Sequence, residues 1–374
     1  MNKSIKFKLS KFKWAVSIPI FRTIGLSITC CTLLLCMACS IAGEPSAGTS
    51  HRIALITPAG TGELAEAIRL GAEAAAKEQG ADLVTVEAFG NGSVSRTRDG
   101  SGAGLLLRKN ERDPQWINLP QREREQAQVD AAAQALQQGA TALLVDPLSE
   151  ETLSNILHMA QTKSPTGNIA PVIVLNDEFP VKGITSVISM DNLEAGRKAG
   201  HAMAELLGAK GKVALLGPDL MNPGLVHREQ GVKEALTEYP DMEIVPYSVC
   251  SNREVCWQVT KQVMDQSRVD GIITLQESAS LGAADELNRR KRIGSIKLVG
   301  FGSEQQQLEQ LQEGVIQQLI VQNGFSAGYL GVNQAVARLN SNHVEPRVTL
   351  ETKLVSTDNM FWMDNQKLLF PFVQ

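Results

Sequence analysis

Arg52-Ile-Ala-Leu-Ile-Thr57, Glu63-Leu-Ala-Glu-Ala-Ile-Arg-Leu-Gly-Ala-Glu-Ala-Ala-Ala-Lys-Glu-Gln79 and Asp82-Leu-Val-Thr-Val-Glu87 follow one another early in the chain. The outer two are short apolar runs of β type. The middle one is alanine-rich, repeats apolar positions at Leu64, Ile68, Ala72 and Ala75, and stops at Gly80. That is a helical period with a glycine stop, so the unit reads strand, helix, strand.

The rhythm continues outward. Further strands are expected at Ala142–Val145, Pro171–Asn176, Ser186–Met190, Lys212–Gly217, Glu243–Val249, Gly271–Gln276, Lys297–Gly302 and Ile316–Gln322. Helices are expected at Gln121–Gln138, Glu150–Gln161, Leu193–Leu207, His227–Glu238, Arg253–Gln266, Ala279–Arg289, Glu304–Gln312 and Ser326–Leu339. Such alternation predicts an α/β protein of doubly wound parallel sheets with helices on both faces. Two stretches break the pattern. Gly90–Pro120 is rich in Gly, Ser, Arg and Asp, holds an isolated Trp116 and reads as a solvated insertion. The tail from Phe361 to Gln374 is apolar and is expected to pack onto a lobe.

The first 22 residues carry Lys3, Lys6, Lys8, Lys11, Lys13 and Arg22 and no acid, and an uncharged run follows from Thr23 to Ala38. A basic start and a short apolar run describe an export signal, whereas a membrane span needs about 20 apolar residues. The run ends Leu35-Cys36-Met37-Ala38-Cys39, which resembles the lipobox of bacterial lipoproteins, with Cys36 where that family usually has Leu. The resemblance implies a signal peptide over 1–38, lipidation of Cys39 and a tether over 39–50. The protein would then sit on the outer face of the cytoplasmic membrane, or in the periplasm where there is an outer membrane.

Cleavage there would leave 336 of the 374 residues, more than one hydrophobic core usually holds. It would also remove six of the 36 basic residues against 40 acidic ones, a balance near −10 that argues against nucleic acid as a partner. Outside the membrane disulfides persist. The two cysteines beyond the leader, Cys250 and Cys256, form an even pair at a strand end and a helix start, either bonded or two buried thiols.

A search for catalytic machinery finds none. His51, His158, His201, His227 and His343 are scattered without ligand spacing, and there is no GxSxG, Walker or GxGxxG motif. Neither a metal nor a cofactor is expected. What stands out is polarity at strand ends, where open α/β sheets bind ligands: Asp146, Asn176 with Asp177, Gln276, Phe301 and Gln322. Carboxylates and amides match hydroxyl groups, and a ring can lie on the apolar face of a sugar.

Over about 280 residues the order of Gly71-Ala-Glu-Ala-Ala-Ala-Lys-Glu-Gln-Gly80, Ser189-Met-Asp-Asn-Leu-Glu-Ala-Gly196, Arg228-Glu-Gln-Gly231, Val299-Gly-Phe-Gly302, Val321-Gln-Asn323 and Gly328-Tyr-Leu-Gly331 resembles the periplasmic sugar-binding proteins of the ribose/galactose type. These share a two-lobed core with the lac-repressor family. The resemblance implies a type I periplasmic binding fold whose two similar lobes are joined by a three-segment hinge. One lobe would comprise 51–190 plus 323–350, with the 90–120 insertion. The other would comprise 191–322 plus 353–365, leaving 366–374 as a tail. Crossings are expected near Ser189–Asp191, Gln322–Asn323 and Thr349–Lys353. By position, Asp146, Asn176, Asp177, Arg228, Gln276, Phe301 and Gln322 fall on the family's ligand-facing places, with Arg228 a two-pronged donor and Phe301 the stacking ring.

The chain also departs from the family. Its first-loop Asn and paired aromatics fall on Gly62, Leu64 and Ala65, an Arg falls on Asp177, a Ser on Met190 and an Asp on Gly302. Ribose bound in the usual way is therefore not expected, and Trp116 or Leu64 is a candidate for the missing wall. The implied function is capture of a sugar or related polyol, by a monomer, for an ABC importer. The alternatives are a ligand sensor partnering a membrane histidine kinase and, less favoured, an α/β enzyme.

Overall fold

The computed structural model divides into two units, Met1–Thr49 and Ser50–Gln374, and only the second is described. Within it the structure describes residues 51–58, 62–89, 92–97, 119–162, 169–218 and 222–370. The leader with Cys39, and the part of the insertion holding Trp116, lie outside the described residues.

The first sheet is built from β1 (Arg52–Pro58), β2 (Asp82–Phe89), β3 (Gly92–Thr97), β4 (Ala142–Val145), β5 (Val172–Asn176), β6 (Ser186–Met190) and β12 (Arg347–Leu350). Their order is β12-β6-β5-β4-β1-β2-β3, parallel throughout except for β3 against β2. The stretch expected to be an aperiodic insertion thus begins as an edge strand. Gly92–Thr97 pairs with Val84–Phe89, a pairing that its sequence conceals because it lacks an apolar alternation. The second sheet contains β7 (Lys210–Gly217), β8 (Asp241–Val249), β9 (Gly271–Thr274), β10 (Lys297–Phe301), β11 (Gln318–Val321) and β13 (Lys353–Val355). Its order is β13-β11-β10-β9-β7-β8, and only β13 runs antiparallel.

Helices cover both faces of each sheet. On the first they are α1 (Gly62–Gln79) and α9 (Gly324–Leu339) on one face, with α2 (Gln121–Gln137) and α3 (Glu150–Thr162) on the other. On the second, α4 (Asn192–Leu207) and α5 (Pro223–Thr237) oppose α6 (Arg253–Gln266), α7 (Glu277–Arg289), α8 (Gln305–Gln312) and α10 (Met363–Leu369). The strands show why. Ile53 and Leu55 face α1 and α9, while Ala54 and Ile56 face α2 and α3, so period-two alternation is apolar on both sides. The tail divides: Leu369 is buried with Leu368 and Phe370 against it, whereas Phe361, Trp362 and Met363 are exposed.

The chain passes between the sheets three times, from Met190 into Asn192, from Val321 into Gly324, and from Leu350 into Lys353. At the third passage Lys198 Nζ of α4 donates to the Thr352 carbonyl oxygen at 3.0 Å, and Thr352 is buried. One packing device recurs in both lobes. A Cβ on Gly231 of α5 would lie 2.0 Å from the Leu193 carbonyl oxygen of α4, and one on Gly328 of α9 1.8 Å from that of Ile68 in α1. Only hydrogen fits at these crossings, so each helix pair packs backbone to backbone.

Candidate ligand-binding cleft

The carboxyl ends of the strands of both sheets, and the helix starts that follow them, meet along a cleft. Arg228 is its anchor. It sits on the second turn of α5, and a Cβ on Gly196 of α4 would lie 2.1 Å from its carbonyl oxygen, so α4 holds this part of α5 close. Its Nε donates to Asn192 Oδ1 at 2.7 Å and its Nη1 to the Leu275 carbonyl oxygen at 2.9 Å. The guanidinium carbon lies 4.8 Å from the centre of the Phe301 ring. The residue is 9% exposed, and burial lowers its pKa to about 10 against the opposing pull of Asp177. Phe301, 1% exposed, thus carries the guanidinium on its ring and is held from behind by Gln307 Nε2, which donates to its carbonyl oxygen at 3.0 Å.

A cavity of about 320 Å³ opens beside this pair. Four residues expected from the sequence line it: Arg228, Gln276, Phe301 and Gln322. Leu64 also lines it, taking a place where the resembling family has an aromatic. Gln276 Nε2 donates to Ser278 Oγ at 2.8 Å, and the Oε1 of the same amide is an acceptor.

The other three expected residues, Asp146, Asn176 and Asp177, do not line that cavity. They form an adjoining acidic group at the ends of β4 and β5. Asn176 adopts a left-handed φ of 68°, which asparagine tolerates, and the Asp177 N–H turns back to the Leu175 carbonyl oxygen. Asp177 then reaches across to the second lobe, where its Oδ2 accepts from Nδ2 of Asn222, the N-cap of α5, at 2.6 Å. A Cβ on Gly224 would come within 2.8 Å of Asp177 Oδ1, so the carboxylate sits hard against the start of α5. Burial first, then the Asp177 charge, push Asp146 up to about 8, against a hydrogen bond from Asn176. Burial also raises Asp177, against the pull of Arg228 and Asn222. All seven residues therefore form one connected neighbourhood, with the acids at one end and the cavity at the other.

The sequence reading missed Glu277, Ser278, Ser303 and Glu304, which line the cavity from the first turn of α7 and the entry to α8. They lie one to three residues past Gln276 and Phe301. Glu277 is pushed up to about 8 by burial, then by the charge and hydrogen bond of Glu304, then by Glu63. Glu304 Oε1 accepts the backbone N–H of Glu63 from the other lobe at 2.5 Å. Away from the cleft, Cys250 and Cys256 are joined in a disulfide that ties the end of β8 to the first turn of α6.

A family model described as periplasmic binding protein domain matches residues 53–343. Among curated proteins the chain is 23% identical over 237 residues to the xylitol-binding protein of Mycolicibacterium smegmatis, covering 63% of this chain and 65% of that protein, just under two thirds. It is 25% identical over 219 residues to the ribose import binding protein of Haemophilus influenzae, covering 58% and 73%. Among solved structures, an ABC transporter solute-binding protein from Agrobacterium vitis bound with α-D-tagatopyranose superposes with a TM-score of 0.70 at 20% identity, covering 86% of this chain and 99% of that one. A glucose-galactose binding protein from Geobacillus stearothermophilus gives 0.68 at 18%, covering 83% and 99%.

Proposed function

Because the chain belongs to the periplasmic binding protein domain family, we propose that it captures a sugar or related polyol between its lobes for an ABC importer, as a lipoprotein anchored through Cys39 on the outer face of the cytoplasmic membrane. The family is one of binding proteins for transport, not of enzymes.

The observation that carries the reading is the fixed guanidinium in the cavity wall. Asn192 and Leu275 already occupy Nε and Nη1 of Arg228, so its orientation is set before a ligand arrives. Nη2 then serves as a donor to ligand oxygens, with amide groups of Gln276 and Gln322 beside it. A cavity of about 320 Å³ is at the small end of ligand pockets, which suits a monosaccharide or polyol better than an oligosaccharide. Ligand contacts drawn from both lobes complete themselves only on closure, giving a shape difference that a membrane partner reads.

A thermal-shift screen of the purified protein against monosaccharides, polyols and nucleosides tests this. A ligand at a hundredfold its Kd stabilises by about 2.7 kcal/mol. A panel with no shift in the sugars and polyols and a clear one elsewhere would move the ligand out of this class. The anchor is tested separately: labelled palmitate is expected to enter the wild-type chain and not the Cys39→Ser variant.

A further inference from the structure

Asp177 follows β5 of the first sheet and Asn222 precedes α5 of the second, yet Asn222 Nδ2 donates to Asp177 Oδ2 at 2.6 Å. The Asn222 amide is oriented by its own helix. As the N-cap of α5, its Oδ1 accepts from the backbone N–H groups of Gly224 at 2.7 Å and Leu225 at 3.3 Å. With the oxygen held there, the amide turns its two donors outward, toward the other lobe. A carboxylate is the complementary partner, and a charge-assisted hydrogen bond is stronger than a neutral one.

Both sides are shaped for close approach. On the first lobe, the left-handed Asn176, with φ 68°, and the Asp177 N–H bond back to the Leu175 carbonyl oxygen carry the carboxyl group past the end of β5. On the second, a Cβ on Gly224 would lie 2.8 Å from both Asp177 Oδ1 and Asn192 Nδ2, so the glycine leaves room for the two groups. Pro223 fixes the first turn of α5, and Arg228 stands on the second. Arg228 Nε in turn donates to Asn192 Oδ1 at 2.7 Å. Whatever holds the start of α5 to the first lobe therefore holds the guanidinium with it.

We propose that Asp177 is a positioning residue rather than a sugar contact: it clasps Asn222 when the lobes shut, and so keeps Arg228 of α5 against the bound molecule. The proposal rests on the reading above that the lobes part to admit a ligand, since a bond between lobes is lost when they separate. A bond made only in the shut form resists opening, and release requires opening. The clasp therefore acts on the off-rate, while the encounter of a ligand with the open form proceeds without it.

The test exchanges the two partners. Asn222→Asp keeps the helix cap, because aspartate and asparagine cap about equally well, but it sets two carboxyl groups face to face. Adding Asp177→Asn returns a donor and an acceptor to the same place with their roles exchanged. The probes are the monosaccharides and polyols of the thermal-shift panel, D-ribose, D-galactose and xylitol among them, with binding and release followed by stopped-flow fluorescence. Asn222→Asp is expected to release a bound probe roughly tenfold faster than the wild type at an unchanged on-rate, and the double variant to recover most of that difference. Wild-type release from Asn222→Asp, or a double variant no better than the single one, overturns the clasp; the second result also returns Asp177 to the sugar contacts. A urea midpoint that falls in Asn222→Asp and is not recovered in the double variant marks a structural role alone and overturns it as well. A wild type that binds nothing in the panel sinks the ligand reading, and small-angle X-ray scattering of the sugar-free proteins then decides the clasp. A larger Asn222→Asp particle, restored to wild-type dimensions in the double variant, supports it, and equal profiles overturn it.

Discussion

Truncating Arg228 to alanine removes a buried cation that three groups hold in place. Asn192 Oδ1 and the Leu275 carbonyl oxygen lose their donors, and an unsatisfied buried acceptor costs about 1–3 kcal/mol. The contact over the Phe301 ring is worth a further ~0.5–2 kcal/mol. Against these stands the relief of no longer desolvating a guanidinium, the same burial that lowers its pKa to about 10. The net expectation is a loss of about 2–4 kcal/mol of folding stability, read as a lower urea midpoint. Binding of whichever sugar or polyol the thermal screen identifies should weaken by about 1–3 kcal/mol, or roughly 5–150-fold, by titration calorimetry. Arg228→Lys separates charge from geometry. It keeps the cation near Asp177 but lacks the planar fork that reaches Asn192 and Leu275 together, so it should recover part of the stability and little of the affinity. A wild-type urea midpoint in Arg228→Ala would refute the pinned-guanidinium argument, and unchanged affinity would remove the residue from the site.

Four further outcomes follow from the packing and electrostatics. Gly231→Ala should drive α4 and α5 apart, since its Cβ would meet the Leu193 carbonyl oxygen at 2.0 Å; a cost of about 1–3 kcal/mol in denaturant is expected, with weakened ligand binding because Arg228 lies one turn away. Reducing the disulfide, or replacing Cys250 by serine, should cost about 2 kcal/mol for so short a loop; the six-residue separation sets that scale, and an unchanged midpoint under reductant would argue against the bond. Glu286, fully buried, accepts from Arg289 and Arg290, which help hold it at about 2. Its stabilisation is present above the ordinary carboxylate range and lost as pH falls through 2, and Glu286→Gln should cost about 2 kcal/mol at neutral pH. For Asp146, pushed up to about 8, the sign reverses: stability falls as pH rises from the ordinary range to 8, by up to about 1.4 kcal/mol per unit. Asp146→Asn should flatten that slope in urea titrations.

The fold was legible because its strands are apolar on both faces and its helices keep a clean period, as Ile53–Ile56 and Leu64–Ala75 show. The site was legible only where chemistry sits at a strand end. Gln276, Phe301 and Gln322 do, and they line the cavity, whereas Arg228, on the second turn of α5, was placed by the resemblance alone. Glu277 and Glu304 do not stand out, because an acid in the first turn or at the N-cap of a helix is already explained by the helix dipole. Asp177 was readable as polar but not as a bridge to Asn222, since that contact depends on how the lobes meet. The β3 pairing was hidden for a different reason: Gly92–Thr97 borrows its register from β2 and carries no pattern of its own.

The late position of α9 has a consequence for the order in which the molecule assembles. Residues 192–321 form most of the second lobe from one continuous stretch, whereas α1 must wait for α9, more than 240 residues downstream, before Ile68 and Ala72 are covered. During synthesis the second lobe can therefore mature first, while the half begun earlier keeps an apolar helix face bare until Gly324–Leu339 has been made. In a refolding experiment this should separate into two phases, the slower one reporting the docking of α9 on α1.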